Sequence, residues 1–320
     1  MENTLEAAPF HNDVADGPPS VKAYWLKTQD GLKIRAAHWK SEQQKNGTIF
    51  IFQGRSENLE KYGLLTNALV AQNYDVFSLD WRGQGLSDRM HSDRMMGHVG
   101  SYFDYQLDVH AFVAAAGRLN LPKPWYLIAH SLGACVALRS LGENLSVTAC
   151  AFTAPLWDIN LPRAKRLAAW PLSWFVHKFN DGRYYAPGAR AASYVLTTPF
   201  EGNRLTTNPS SYDYYIHVSA ELPDQQVGGP SYGWLYQTLL ENRRLSSIAS
   251  PDVPCLTLLG KDDQIISLEA VERRMNSWPL GQIKKFEGAR HDVLYEVSPI
   301  RDCAISEILN HFRTSSNLSR

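Results

Sequence analysis

The chain has 320 residues, 44% of them hydrophobic and 20% charged, the balance of a soluble globular protein able to bury a core without disulfide staples. Its 32 Lys and Arg match 32 Asp and Glu, which argues against a nucleic-acid partner, since such proteins carry a basic excess. No apolar run approaches the roughly 20 residues of a membrane helix.

In chain order, MENTLEAAPFHNDVADGPPS (1–20) is polar and acidic, unlike a secretory leader, and is expected to be a disordered or clamped tail. VKAYWLKT and LKIRAAHW follow, separated by Gln29-Asp30-Gly31, a hairpin pattern. TIFIFQ (48–53) reads as a buried strand. ENLEKYGLLTNALVAQN reads as a helix, with Tyr62, Leu65 and Leu69 on one face. YDVFSLD (74–80) is a strand, QLDVHAFVAAAGRL (106–119) a helix, WYLIA (125–129) a strand, LGACVALRSL a helix and VTACAFTA (147–154) a strand. This alternation predicts an α/β fold with a mostly parallel sheet, helices on both faces and antiparallel strands at one edge. Residues 156–245 break the rhythm with aromatic-rich, proline-punctuated helical pieces (Trp157, Trp170, Trp174, Trp234, Tyr184, Tyr185, Tyr212, Tyr214, Tyr215). The rhythm resumes with PCLTLLG (254–260), a helix near LEAVERRMNSW, QIKKFEG (282–288) and a last helix, PIRDCAISEILNHF. The expected organisation is a tail (1–20), a core in two parts (21–155 and 246–320) and a cap inserted between them (156–245). Cys135, Cys150, Cys255 and Cys303 lie far apart in apolar segments, the pattern of reduced thiols in a cytoplasmic protein.

In an open parallel sheet, ligands bind beyond the carboxyl ends of the strands. After WYLIA comes His130-Ser131-Leu132-Gly133, a strand-to-helix turn that would thrust Ser131 into the site. The nucleophile elbow is G-x-S-x-G, and here Ala129 stands at the first glycine. After PCLTLLG comes Asp263, and after QIKKFEG comes His291. Ser, acid and His in this order, each at a strand end, form the set needed for acyl transfer. His291 would take the Ser131 proton and Asp263 would fix the imidazole tautomer. An oxyanion hole requires two backbone N–H groups; those of Leu132 and Arg55 are the candidates.

On QGRSENLEKY (53–62), DWRGQGLSDR (80–89), AHSLGA (129–134), GGPSYGWL (228–235), GKDDQII (260–266) and ARHDVLYE (289–296), the chain resembles the α/β-hydrolase superfamily from about residue 22 to the end. Within it, the chain is similar to the bacterial lysophospholipase and monoacylglycerol lipase group. The resemblance implies the α/β-hydrolase fold and maps the oxyanion-loop residue onto Arg55, the acid onto Asp263 and the base onto His291. It implies a lipid-ester substrate, transient contact with a membrane surface and no cofactor. A short-chain carboxylesterase, a cofactor-free haloperoxidase and a C–C bond hydrolase use the same triad, and a binding protein on the same fold is the rival from another class.

Other polar residues have plainer readings. Asp80, Arg82, Gly83 and Gly85 are expected to shape a loop. Asp262 is expected to be solvated, Asp292 and Arg290 to face water or a rim, and His130 to pack at the elbow. Glu57 is read as an ordinary first-turn helix acid, with a supporting role beside the oxyanion loop as the alternative. His91 and His98 match no metal-binding spacing, and no metal is expected. The aromatics of 156–245 are read chiefly as the small core of the cap, with some lining an acyl-chain pocket. Oligomeric state is left open.

Overall fold

Apolar residues alternate along the central strands so that one strand feeds two cores. In a computed structural model describing residues 5–318 except 44, 144 and 181, Phe50 and Phe52 point to one face of the sheet, and Ile49 and Ile51 to the other, as the two-residue strand period requires. Among the described residues the strands are β1 (Glu6–Ala8), β2 (Val21–Lys27), β3 (Lys33–Trp39), β4 (Thr48–Phe52), β5 (Asp75–Leu79), β6 (Trp125–His130), β7 (Ala149–Thr153), β8 (Cys255–Gly260) and β9 (Gly281–Phe286). They form one sheet in the order β1-β2-β3-β5-β4-β6-β7-β8-β9. The three pairings from β1 to β5 are antiparallel and those from β5 to β9 parallel.

The helices are α1 (Asn12–Ala15), α2 (Gly63–Val70), α3 (Asp104–Arg118), α4 (Leu132–Glu143), α5 (Arg163–Asn180), α6 (Tyr194–Thr197), α7 (Pro209–Glu221), α8 (Tyr232–Ser247), α9 (Leu268–Asn276) and α10 (Ser298–Leu318). α3, α4 and α9 cover one face, where Phe112 stacks on Phe77 with ring centroids 4.3 Å apart and meets Phe50 edge-on at 5.1 Å. α2 and α10 cover the other, where Phe312 stacks on Tyr126 at 4.6 Å. Truncating a core ring such as Phe112 to alanine removes about 3–5 kcal/mol. α5 to α8 all fall between β7 and β8, the stretch where the strand–helix rhythm lapses.

Of the two alternatives for the N-terminal segment, the described part is clamped: Glu6 pairs with Trp25, and Val14 and Ala15 are buried under α2 and α7. The Tyr214 hydroxyl donates to the Ala15 carbonyl at 2.7 Å, and Gly63 packs so closely on that carbonyl that a Cβ would overlap it. Residues 1–4 of the tail lie outside the described residues. One expectation needs correction: the helix read from residue 57 is instead a turn, a 3₁₀ segment at Glu60–Tyr62 and then α2, with Tyr62, Leu65 and Leu69 buried as expected. The hairpin forms as read, with Val21 opposite Trp39 and Lys27 opposite Lys33.

The DWRGQG loop is structural. Arg35, wholly buried, donates to Asp80 at 2.7 Å and bidentately to Glu60 at 2.8 and 2.7 Å. Asp80 also accepts the N–H groups of Leu59 and Leu86. Gly83 and Gly85 have φ of 78° and 51°, backbone that L side chains rarely adopt.

Candidate active site

β6 is hydrogen-bonded to β4 up to Phe52↔Ala129 and to β7 up to His130↔Thr153. The chain then reverses at Ser131, whose φ is 50°, a left-handed conformation that costs a non-glycine residue about 1–3 kcal/mol. Its neighbours hold it there. Ser131 N–H donates to the Thr153 carbonyl at 3.0 Å, and its own carbonyl accepts from Leu156 N–H at 3.1 Å. Leu132 starts α4 directly after it. A Cβ on Gly133 would run into the Phe52 carbonyl, so this glycine is required. Ala129 is fully buried with its ladder intact on both sides; its methyl group is absorbed by the core without opening the turn.

His291 lies beyond β9 and Asp263 beyond β8. Nδ1 of His291 is 2.7 Å from Oδ2 of Asp263, while Asp263 Oδ1 accepts the N–H groups of Ile265 at 2.7 Å and Ile266 at 3.2 Å. Burial pushes the Asp263 carboxyl up, but the charge and hydrogen bond of His291 and these two N–H groups together hold it below its ordinary value. Burial likewise disfavours charged His291, and the facing carboxylate overrides it, so the imidazole pKa is raised. An ionised Asp263 only accepts, so Nδ1 carries the proton and Nε2 presents its lone pair. Asp262 is exposed whereas Asp263 is buried, as the sequence reading expected.

Ser131 and His291 open onto one cavity of about 360 Å³, walled largely by apolar side chains including Leu156, Val218, Leu222 and Trp234. Arg55 lies in the turn after β4 and lines the same cavity. Among the described residues, the backbone N–H groups of Arg55 and Leu132 meet no protein acceptor. Their neighbours are engaged: Gly54 N–H donates to Glu57 at 2.6 Å, and Ser56 N–H donates to Gln84.

Three charged residues read as peripheral are not. Asp292 is 3% exposed and accepts from Lys61 Nζ and the Tyr215 hydroxyl, both at 2.7 Å. Lys61 also bonds Glu57, which further accepts the Tyr62 hydroxyl at 2.6 Å. Glu57 is therefore a strut of the loop carrying Arg55 rather than a helix-end acid. Burial would raise the Asp292 carboxyl, yet Lys61, aided by His130 and the hydroxyl of Tyr215, brings it down to about 2. Glu57, Asp292 and His130 offer a set of possible metal ligands, but the Lys61 ammonium already sits between the two carboxylates. Arg290 is half-buried and donates to the carbonyls of Asn203 at 2.9 Å and Thr206 at 3.1 Å. The i, i+4 spacing of Glu57 and Lys61 was a visible clue to this network. Their link to Asp292, 231 residues from Lys61, was not.

His130 is packed, as expected: its Nδ1 is 2.9 Å from the Thr153 hydroxyl and its ring meets His291 edge-on at 4.9 Å. His98 Nδ1 lies 2.8 Å from the Ser231 hydroxyl. Of the nine aromatics singled out between 156 and 245, only Tyr215 and Trp234 line the cavity. Tyr212 and Trp157 pack in the cores, and Trp174 and Tyr184 are exposed.

A mostly parallel sheet, a strained serine at a strand-to-helix turn and an acid–histidine pair beyond the last two strands define the α/β-hydrolase class. The chain is similar over its length to crystal structures of that class: a soluble variant of monoglyceride lipase from Saccharomyces cerevisiae (TM-score 0.70, 15% identity, 98% of each chain covered) and a carboxyl esterase from Bacillus coagulans (TM-score 0.71, 14% identity, 92% of this chain and 98% of that one). Residues 43–298 match the family described as serine aminopeptidase, S33, and the chain belongs to that family of hydrolytic enzymes. Among curated proteins it is 29% identical over 304 residues to lysophospholipase L2 of Escherichia coli, covering 91% of this chain and 87% of that protein. It is 24% identical to the probable lysophospholipase L2 of Haemophilus influenzae, covering 90% of both.

Proposed function

We propose that the chain is a serine hydrolase of single-chain lipid esters, a lysophospholipase or monoacylglycerol lipase, working through an acyl-enzyme on Ser131. The observation that carries this reading is the 2.7 Å Asp263–His291 pair opening onto one apolar cavity with Ser131. Nε2 of His291 takes the proton as Ser131 Oγ bonds to the ester carbonyl carbon. The Arg55 and Leu132 N–H groups, free of protein acceptors, receive the developing oxyanion. His291 returns the proton to the departing alcohol, and water then repeats the sequence to release the fatty acid. Residues 156–245 act as the cap over this cavity. The reduced thiols of Cys150 and Cys255, register partners on β7 and β8, fit a cytoplasmic site of action.

The family description raises peptide hydrolysis as a second reading. An aminopeptidase must hold a free α-ammonium, and the cavity-lining carboxylate, Glu57, is already bonded to Lys61, Tyr62 and Gly54 N–H. This favours an ester substrate.

Lipid substrates partition into membranes, and α5 is suited to a membrane surface. It exposes Leu167, Leu172, Trp174, Phe175 and Phe179. Its charged residues, Arg163, Lys165, Arg166 and Lys178, are all basic, the composition of an interfacial helix facing anionic lipid. Among the described residues no helix is long and apolar enough to cross a membrane.

The test is Ser131→Ala against a p-nitrophenyl ester series from C4 to C16. The variant should lose both hydrolysis and fluorophosphonate labelling while its circular dichroism stays native, and the wild type should favour the longer chains. Activity retained in the variant would sink the nucleophile assignment; a wild type that is never labelled would favour a binding protein; a wild type confined to C4 would favour a short-chain esterase.

A further inference from the structure

Two carboxylates beside the candidate base share a single cation. Lys61 Nζ bonds Glu57 and lies 2.7 Å from Oδ2 of Asp292, and all three side chains are largely buried. Burial pushes both carboxyls up, but Lys61, with a smaller pull from His130, holds each below its ordinary value, Asp292 at about 2. Burial would also discharge Lys61, and the two carboxylates outweigh it. The cluster therefore holds two negative charges and one positive, a net excess of one negative charge.

The groups around it do not cancel that excess. The hydroxyls of Tyr62, Tyr215 and Tyr295 bond Glu57, Asp292 and the Lys61 carbonyl; burial pushes all three phenols up, so they are neutral near pH 7. His130 Nε2 lies 3.8 Å from Glu57 Oε1, and burial holds this imidazole below its ordinary value, so it is neutral too. Of the nearby arginines, Arg290 donates to the carbonyls of Asn203 and Thr206, and Arg204 is exposed. His291 faces the cluster. It follows Arg290 and adjoins Asp292 in the chain, and its ring meets His130 edge-on at 4.9 Å. Burial lowers the His291 pKa; Asp263 opposes this most strongly, and the charges of Asp292 and Glu57 add to it.

A buried charge ordinarily has a partner, because an unmatched one is costly. Here the partner forms during the reaction. When Nε2 of His291 takes the Ser131 proton, the imidazolium supplies the missing positive charge. A charge fixed in place beforehand stabilises that state without reorganisation.

We infer that Asp292 is a positioning residue of the hydrolase reaction: held by Lys61 and by Tyr215 of α7, it keeps an excess negative charge beside His291 and so favours the imidazolium formed as Ser131 is activated. This rests on the ester-hydrolase reading above and adds a second carboxylate to the one that fixes the tautomer.

The test follows p-nitrophenyl butyrate hydrolysis by the full chain from pH 4 to 9, with circular dichroism as the check on folding. Asp292→Asn keeps the side-chain shape and an acceptor for Tyr215 but removes the excess charge. Its acidic limb should move about one pH unit lower, and kcat above the limb should fall about tenfold with KM within about twofold of wild type. Glu57→Gln cancels the excess from the other side and keeps an acceptor for Gly54 N–H. It should shift the limb the same way, and it carries the test if Asp292→Asn does not fold. Lys61→Met combined with Asp292→Asn again leaves one net negative charge, on Glu57, and should bring the limb back toward its wild-type position. Limbs that stay at the wild-type pH in the folded single variants would show that the cluster only braces its loops, and would overturn the inference. A limb that moves upward in either single variant, or a folded double variant whose limb stays with that of Asp292→Asn, would overturn it as well. Hydrolysis undiminished in Ser131→Ala would instead refute the hydrolase reading on which the inference rests.

Discussion

Asp263→Asn separates an orienting carboxylate from one that merely packs. The wild-type Oδ1 accepts Ile265 and Ile266 N–H, and Oδ2 faces His291 Nδ1 at 2.7 Å. An asparagine keeping its carbonyl toward the two isoleucines must turn its NH₂ toward Nδ1. The imidazole then places its proton on Nε2, the nitrogen needed as base. The expected loss in kcat/KM is about ten-thousand-fold, or about 5.5 kcal/mol at about 1.36 kcal/mol per decade, with little change in thermal stability because both backbone bonds survive. The acidic limb of the pH profile gives an independent reading. In the wild type His291 titrates above its ordinary value because Asp263 overrides burial, so activity declines as pH falls through that raised value. Without that carboxylate the largest raising influence is gone, burial is opposed only by the smaller pull of Asp292 and Glu57, and the limb moves to lower pH. Hydrolysis of p-nitrophenyl butyrate between pH 4 and 9, followed alongside circular dichroism, measures both effects. A variant within tenfold of wild type, or a limb that moves upward, refutes the reasoning.

Gly133→Ala should destabilise the fold by about 3 kcal/mol or more, at the upper end of overpacking effects, because the new methyl meets backbone at Phe52; thermal melts read it directly. Lys61→Met strands Glu57 and Asp292 without their cation and should cost about 3–5 kcal/mol at neutral pH. Asp292 is held down to about 2 in the folded state, so its contribution is complete above its ordinary range and fades as pH falls toward 2. In the variant the stranded carboxyls regain neutrality on acidification, so the stability gap between the two proteins should be widest at pH 7 and narrow below about pH 4, as measured by urea unfolding at each pH. Phe175→Ser combined with Phe179→Ser should reduce co-sedimentation with phosphatidylglycerol vesicles several-fold and leave hydrolysis of soluble esters intact. Equal sedimentation would remove α5 from the membrane-contact reading.

The parallel core was legible because its strands are short, continuously apolar and spaced by amphipathic helices, and each of Ser131, Asp263 and His291 falls just past such a strand. β1 escaped notice because Glu6–Ala8 is three residues long, too short to show a period; it is a strand only because the β2 edge lies beside it. The Lys61 hub escaped for a different reason. Its partners come from two distant stretches, and an aspartate adjoining a histidine looks the same in sequence whether it meets water or a buried ammonium. The aromatics of α5–α8 were visible as a group, but composition does not tell an inward ring such as Trp234 from an outward one such as Phe179.

The two rims of the sheet are defended differently. At one, β1 offers only three residues, and Glu6 is salt-bridged to Lys33 two strands away. At the other, β9 carries Lys284 and Lys285, paired to Glu307 of α10 and Glu272 of α9. Short length and charge both discourage a foreign strand from docking. Self-association by continuous β-sheet is therefore disfavoured at either end, so molecules crowded together during folding or at high expression meet through their helical surfaces instead.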